Sequence, residues 1–329
     1  MEELPVIDVS PLVRGEEGRS VGAEIDAACR RLGFFYVVGH GVDEGLQDRL
    51  DASARRLFAL DPALKETVAM HRGGVAWRGW FPLGGELTSG RPDGKEGCYF
   101  GQELGPDHPK VRAGTPLHGA NLFPAELPEL RTAVLDYLDA LTALGHVLVR
   151  GIALGLGLDG AWFDRHLTAD PLILFRIFRY PPTPDPDWGV AEHTDYGLLT
   201  ILRQDDAGGL QVHGPDGWLD APPVPGSFVC NLGDMLERMT DGRYRSTPHR
   251  VRNTGTADRL SFPFFFDPAW DAEVLPAPLG DDRPAPPGRP RWDGEDLTTL
   301  DGTYGDYLLA KVGKVFPQLR AEVLDPPVS

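Results

Sequence analysis

The residues best suited to chemistry lie between Val190 and Ser261: His193-Thr194-Asp195, then His249, then Arg259-Leu260-Ser261. On an extended chain, residues two apart point to the same side, so His193 and Asp195 can reach one ion. His249 comes 54 residues after Asp195, on a separate predicted strand. Two neutral imidazoles and one carboxylate make a facial triad that leaves coordination positions open. Such a set holds non-haem Fe(II) in oxygenases, and zinc can use the same three ligands. His40, His71, His108, His118, His166 and His213 have no partner at ligand spacing, and His146 falls within a predicted helix. These seven read as structural or surface residues.

Arg259 and Ser261 share one side of their strand by the same period of two. A guanidinium fork binds a carboxylate through two parallel bonds, and a serine hydroxyl can add a third. The strand continues as Phe262-Pro263-Phe264-Phe265-Phe266, strongly apolar. An arginine buried beside it calls for an anionic partner.

These grips must be positioned by a scaffold, and the composition allows one. The chain has 329 residues, 41% hydrophobic and 25% charged, enough for a sizeable core. The formal charge of −17 disfavours nucleic acid or an anionic membrane as main partner, since both reward positive charge. A small acidic substrate needs only a local cationic pocket. Cys29, Cys98 and Cys230 form no C-x-x-C pair, which points to a reducing, cytoplasmic setting. The acidic start lacks signal-peptide features, and no apolar run is expected to reach the roughly 18 residues of a membrane span.

The pattern predicts one domain with four regions. An N-terminal α/β region covers about 1–120, with strands at 4–9 and 33–41 and helices starting at Ser20 and Asp43. Residues 70–120 read as irregular, a candidate pocket wall. A long support helix runs from Pro124 to about 155. Gly155-Leu-Gly157-Leu-Asp-Gly160 matches a dinucleotide-binding pattern but follows a helix, and reads as that helix's end. Short strands at 172–180, 197–203, 209–212, 218–220, 227–232, 249–251 and 260–266 give the cadence of a β-sandwich or jelly roll over about 170–270. A proline-rich loop to about Trp292 and a helix near 303–315 complete the C-terminal region, 271–329. Trp80, Phe81, Tyr99, Phe264 and Phe266 are candidate pocket residues. Arg72, Arg78, Lys95 and Arg176 are cations that could meet an acidic substrate.

With these motifs in order, the chain resembles the isopenicillin N synthase-like branch of the Fe(II)/2-oxoglutarate dioxygenases. The likeness rests on H-x-D, H and R-x-S at His193, Asp195, His249, Arg259 and Ser261. It extends to Gly33–Gly41, Arg179-Tyr180-Pro181-Pro182, Asn231–Met235 and Tyr244–Val251, nearly the whole chain. The resemblance implies an α+β, mainly β fold: a double-stranded β-helix, cupin-like, with flanking helices. It implies Fe(II) on His193, Asp195 and His249, and 2-oxoglutarate held by Arg259 and Ser261 with Tyr180. With O2, such an enzyme oxidises a C–H bond of a small molecule by hydroxylation, desaturation or ring formation, releasing succinate and CO2. Phe178 stands where many plant members have asparagine, which leaves Tyr180 without that companion. Isopenicillin N synthase itself keeps R-x-S without using 2-oxoglutarate. An Fe(II) oxidase or cyclase in which Arg259 holds a substrate carboxylate is therefore the alternative reading. A non-catalytic metal-binding or small-molecule-binding module is the third.

Overall fold

The structure is a computed structural model and describes residues 3–183, 188–252, 255–280, 291–317 and 320–321. The chain opens with β1 (Val6–Asp8), α1 (Ser10–Val13) and α2 (Arg19–Arg31). Val21, Ile25, Ala28 and Cys29 bury one face of α2, as their helical spacing requires. The expected cap at Ser20 is displaced: Gly18, in the left-handed region at φ 69°, precedes the helix instead. β2 (Phe34–Val38) pairs in parallel with β1. In α3 (Glu44–Ala59), the Asp43 side chain accepts from the Leu46 amide and caps the first turn. α4 (Pro62–Glu66) follows.

Residues 70–120 differ from the irregular stretch expected. They contain β3 (Gly79–Phe81), the small ribbon β4 (Leu87–Thr88) and β5 (Arg91–Pro92), β6 (Glu96–Gly101), and α5 (Pro109–Arg112). Every residue of β6 is buried. Its glycines and its charge hid it, because the charge is neutralised inside the protein: Glu96 pairs with Lys65 at 2.9 Å.

α6 (Pro128–Gly155) starts four residues later than expected, with proline in its first turn. By length and composition it could cross a membrane, but 56% of its apolar window is buried inside the protein. Gly145 sets how closely it meets the sheet. A Cβ there would fall 2.3 Å from the Phe266 ring.

After α7 (Trp162–His166) come β7 (Leu172–Tyr180), β8 (Trp188–His193), β9 (Leu199–Gln204), β10 (Leu210–Gly214), β11 (Gly217–Asp220) and β12 (Phe228–Leu232). Then follow α8 (Asp234–Met239), β13 (His249–Arg252) and β14 (Arg259–Asp267). The large sheet runs β1-β2-β12-β9-β14-β7-β6-β3, and the small one β11-β10-β13-β8. This is the jelly-roll core expected, with β8 and α8 added to the elements read from the sequence. The Gly214–Gly217 turn joins β10 to β11 as anticipated. α9 (Tyr304–Val315) begins with a reciprocal cap between Thr303 and Asp306. Residues 281–290 of the proline-rich loop lie outside the described residues, as does the C-terminal segment from 322.

Candidate active site

Antiparallel pairing of β8 with β13 places His193 opposite His249, their ring centroids 4.2 Å apart. Asp195 follows β8 by two residues. Its Oδ1 lies 3.9 Å from His193 Nε2 and 3.8 Å from His249 Nε2. The three donor atoms fall within 4.8 Å of one another. His193 Nδ1 is 2.8 Å from the Ala191 carbonyl, and His249 Nδ1 is 3.2 Å from that of Thr247. A carbonyl can only accept, so each Nδ1 carries the proton and each Nε2 keeps its lone pair for a metal.

Asp195 is oriented just as firmly. Asn231 Nδ2 donates to its Oδ2 at 2.7 Å, and the Thr200 hydroxyl donates to the same oxygen. Oδ1 is left towards the histidines. Burial, then the neighbouring His249, lowers the basicity of His193. Burial alone would raise Asp195, but His249, His193, Asn231 and Thr200 together outweigh it and hold the acid below its usual range. Neutral imidazole and ionised carboxylate are the states metal binding requires. This donor set suits Fe(II) with open positions.

Arg259 and Ser261 both line the same cavity, about 440 Å³ in volume. That size suits a small ligand. Arg259 is 1% exposed. Its Nε donates to the Gly208 carbonyl, and Nη2 reaches Gln204 Oε1 at 3.4 Å. Nη1 is buried and has no hydrogen-bond partner among the described residues. A buried guanidinium on the wall of a cavity, with a serine hydroxyl on the same strand face, suits a carboxylate. Tyr180 lines the cavity from β7, and a Cβ on Gly189 would meet its ring at 2.6 Å. Glycine there lets the ring lie against β8.

Strand alternation decides which expected pocket residues face inward. Arg259, Ser261, Pro263, Phe265 and Asp267 line the cavity. Phe264 and Phe266 point to the opposite face, where both are fully buried, so they are not pocket residues. The alternation that paired Arg259 with Ser261 already implied Phe265 instead. Tyr99 lines the cavity, whereas Trp80 and Phe81 do not. The Trp80 indole donates to Glu96, and Phe81 packs behind Tyr99 and Phe178. Arg72 donates to the Glu66 carbonyl, and buried Arg78 donates to the Phe100 and Leu117 carbonyls. Lys95 and Arg176 are the two cations of that set that reach the cavity.

Further contributors were not singled out from the sequence. Arg291 donates to Asp234 at 3.1 Å and to Thr194 at 3.3 Å, and the Tyr307 hydroxyl donates to Asp234 at 2.9 Å. These bonds pin the C-terminal segment beside the triad, and Trp292, Leu308, Val312 and Phe316 wall the cavity. Asp267 is buried, accepts from the Tyr304 hydroxyl at 2.5 Å, and is pushed up to about 7, mainly by burial.

Comparison with known proteins agrees with this geometry. The model of the 2OG-Fe(II) oxygenase superfamily matches residues 170–268, the jelly-roll core. The model named for the N-terminal part of a non-haem dioxygenase in morphine synthesis matches residues 4–126. A Dictyostelium discoideum protein named a probable iron/ascorbate oxidoreductase is 46% identical, covering 98% of each chain. The 1-aminocyclopropane-1-carboxylate oxidase of the same organism is 36% identical over 96% of each. The crystal structure of a 2OG-Fe(II) oxygenase family protein from Caulobacter crescentus superposes with a TM-score of 0.79 at 29% identity, covering 95% of this chain and 99% of that one. The chain belongs to the 2OG-Fe(II) oxygenase superfamily and is an Fe(II)- and 2-oxoglutarate-dependent oxidoreductase.

Proposed function

We propose that His193, Asp195 and His249 bind the Fe(II), and that Arg259 and Ser261, with Tyr180 beside them, clamp the distal carboxylate of 2-oxoglutarate. The observation that carries this reading is that buried Arg259 and Ser261 line the same cavity as the triad. Bound iron, with O2 and 2-oxoglutarate, supplies oxidation of a substrate C–H bond coupled to formation of succinate and CO2. The chain's own part is orientation and exclusion of water. Asn231 and Thr200 fix Asp195, the Ala191 and Thr247 carbonyls fix the imidazoles, and the apolar wall from α9 keeps bulk water from the reacting centre. The substrate is a small organic molecule in the remaining cavity. Three free, buried cysteines support a reducing, cytoplasmic location.

The test is succinate release under air with Fe(II), 2-oxoglutarate and a panel of amino acids, organic acids and aromatic metabolites. Substrate-dependent succinate that disappears in His249→Ala is expected. The two Dictyostelium relatives are named for a carboxylate substrate and for iron with ascorbate. They favour, as a second reading, an oxidase whose Arg259 holds a substrate carboxylate. Turnover without succinate would select it.

A further inference from the structure

The cavity holds a second arginine that the cosubstrate assignment leaves unused. Arg176 lies on the cavity face of β7, four residues before Tyr180. At about 3.3 Å per residue this is roughly 13 Å along the strand from the Arg259 clamp. Its guanidinium carbon is 4.3 Å from the Tyr99 ring centroid and 4.8 Å from that of Phe265. The side chain is 16% exposed, yet it donates no hydrogen bond among the described residues, and Nε is fully buried without a partner.

The nearest anion is Glu86, with Oε1 3.6 Å from Arg176 Nη1, too far for a hydrogen bond. The Tyr99 hydroxyl donates to Glu86 at 2.6 Å, and Lys95 Nζ lies 3.0 Å from its other oxygen. Glu86 therefore steadies the guanidinium by charge while leaving its N–H groups unused. Buried donors left unmade are costly, and a guanidinium fork matches a planar two-oxygen anion. Rings beside the guanidinium favour approach along its edge, which suits a carboxylate.

We propose that Arg176 is the substrate's anion grip, so that the enzyme acts on small carboxylic acids whose carboxylate sits against Arg176 beside Tyr99 and Phe265. This rests on the assignment of Arg259 to 2-oxoglutarate. One cavity then holds two carboxylates on two arginines, and the substrate's carbon chain extends from Arg176 towards the triad.

The test uses the Fe(II)-loaded protein under anaerobic conditions with saturating 2-oxoglutarate, which keeps Arg259 filled. Calorimetry compares hexanoate, phenylacetate and 3-phenylpropionate with their primary amides. At least one acid should bind about 30-fold or more tightly than its amide, the scale for a buried hydrogen-bonded charge pair. Arg176→Gln should abolish that preference, and Arg176→Lys should retain part of it. Both variants should keep the wild-type affinity for 2-oxoglutarate. Equal binding of every acid and its amide to the wild type, or an acid preference that survives Arg176→Gln, overturns the proposal. The wild-type comparison needs no variant to fold. Binding of 2-oxoglutarate is measured before any acid is added, so failure of the cosubstrate assignment is seen separately.

Discussion

Tyr180 stands directly opposite Arg259 in the β7–β14 ladder, and the guanidinium carbon lies 4.8 Å from the centre of the tyrosine ring. Strand pairing, ring and guanidinium together hold the fork in place before any ligand arrives. Gly208 and Gln204 fix two of its nitrogens from the other side.

Arg259→Gln should therefore weaken 2-oxoglutarate binding by about 30-fold or more, as expected when one member of a buried charged pair is removed. Arg259→Lys should recover only part of that loss, because an ammonium is a point charge without the planar fork. Equilibrium titration of 2-oxoglutarate into the Fe(II) protein measures both. An Arg259→Gln variant with wild-type affinity would contradict the clamp.

Asn231→Ala should lower metal affinity by about 10–100-fold, the usual effect of removing a group that orients a ligand. The variant loses the 2.7 Å bond to Asp195 Oδ2 while the Thr200 bond remains. Competition with a chelator for bound Co(II) or Fe(II) reads the change. Unaltered affinity would mean that Thr200 alone orients the carboxylate.

The metal and carboxylate grips were legible because each rests on period two within a strand and on residue types with few other buried uses. The jelly roll followed from evenly spaced short strands. What escaped was of another kind. β6 was hidden because its charge is matched by Lys65 from a distant part of the chain. The role of Asn231 depends on β12 lying beside β9, which brings it to Asp195 along with Thr200. The C-terminal wall depends on Arg291 meeting Asp234, a contact no local pattern announces. Phe265, and not Phe264 or Phe266, faces the cavity because it lies four residues past Ser261 on the same face of the strand.

Asp267 should make stability depend on pH. Its acid is pushed up to about 7 from an ordinary value of 3.8, chiefly by burial. Folding thus favours the neutral form. That contribution is fully present below pH 4 and is lost as pH rises through 7, on the order of 4 kcal/mol in total. Asp267→Asn should flatten denaturant-measured stability between pH 5 and 8, gaining most relative to wild type at pH 8. A variant whose stability keeps the wild-type pH slope would contradict this.

Gly145→Ala should destabilise the fold by about 1–3 kcal/mol through overpacking. The added methyl would sit 2.3 Å from Phe266, a ring with no exposed surface. Urea denaturation reads the loss, and a neutral result would mean that α6 can shift without cost.

The most direct test of the account is an anaerobic titration of the apo protein with Fe(II) and then 2-oxoglutarate, followed by visible absorption. A weak charge-transfer band saturating at one iron and one 2-oxoglutarate per chain is expected. The band should be absent in His249→Ala and shifted to higher 2-oxoglutarate concentration in Arg259→Gln. No band with the wild type, or a band unchanged in both variants, would contradict the assignment of the triad and the clamp.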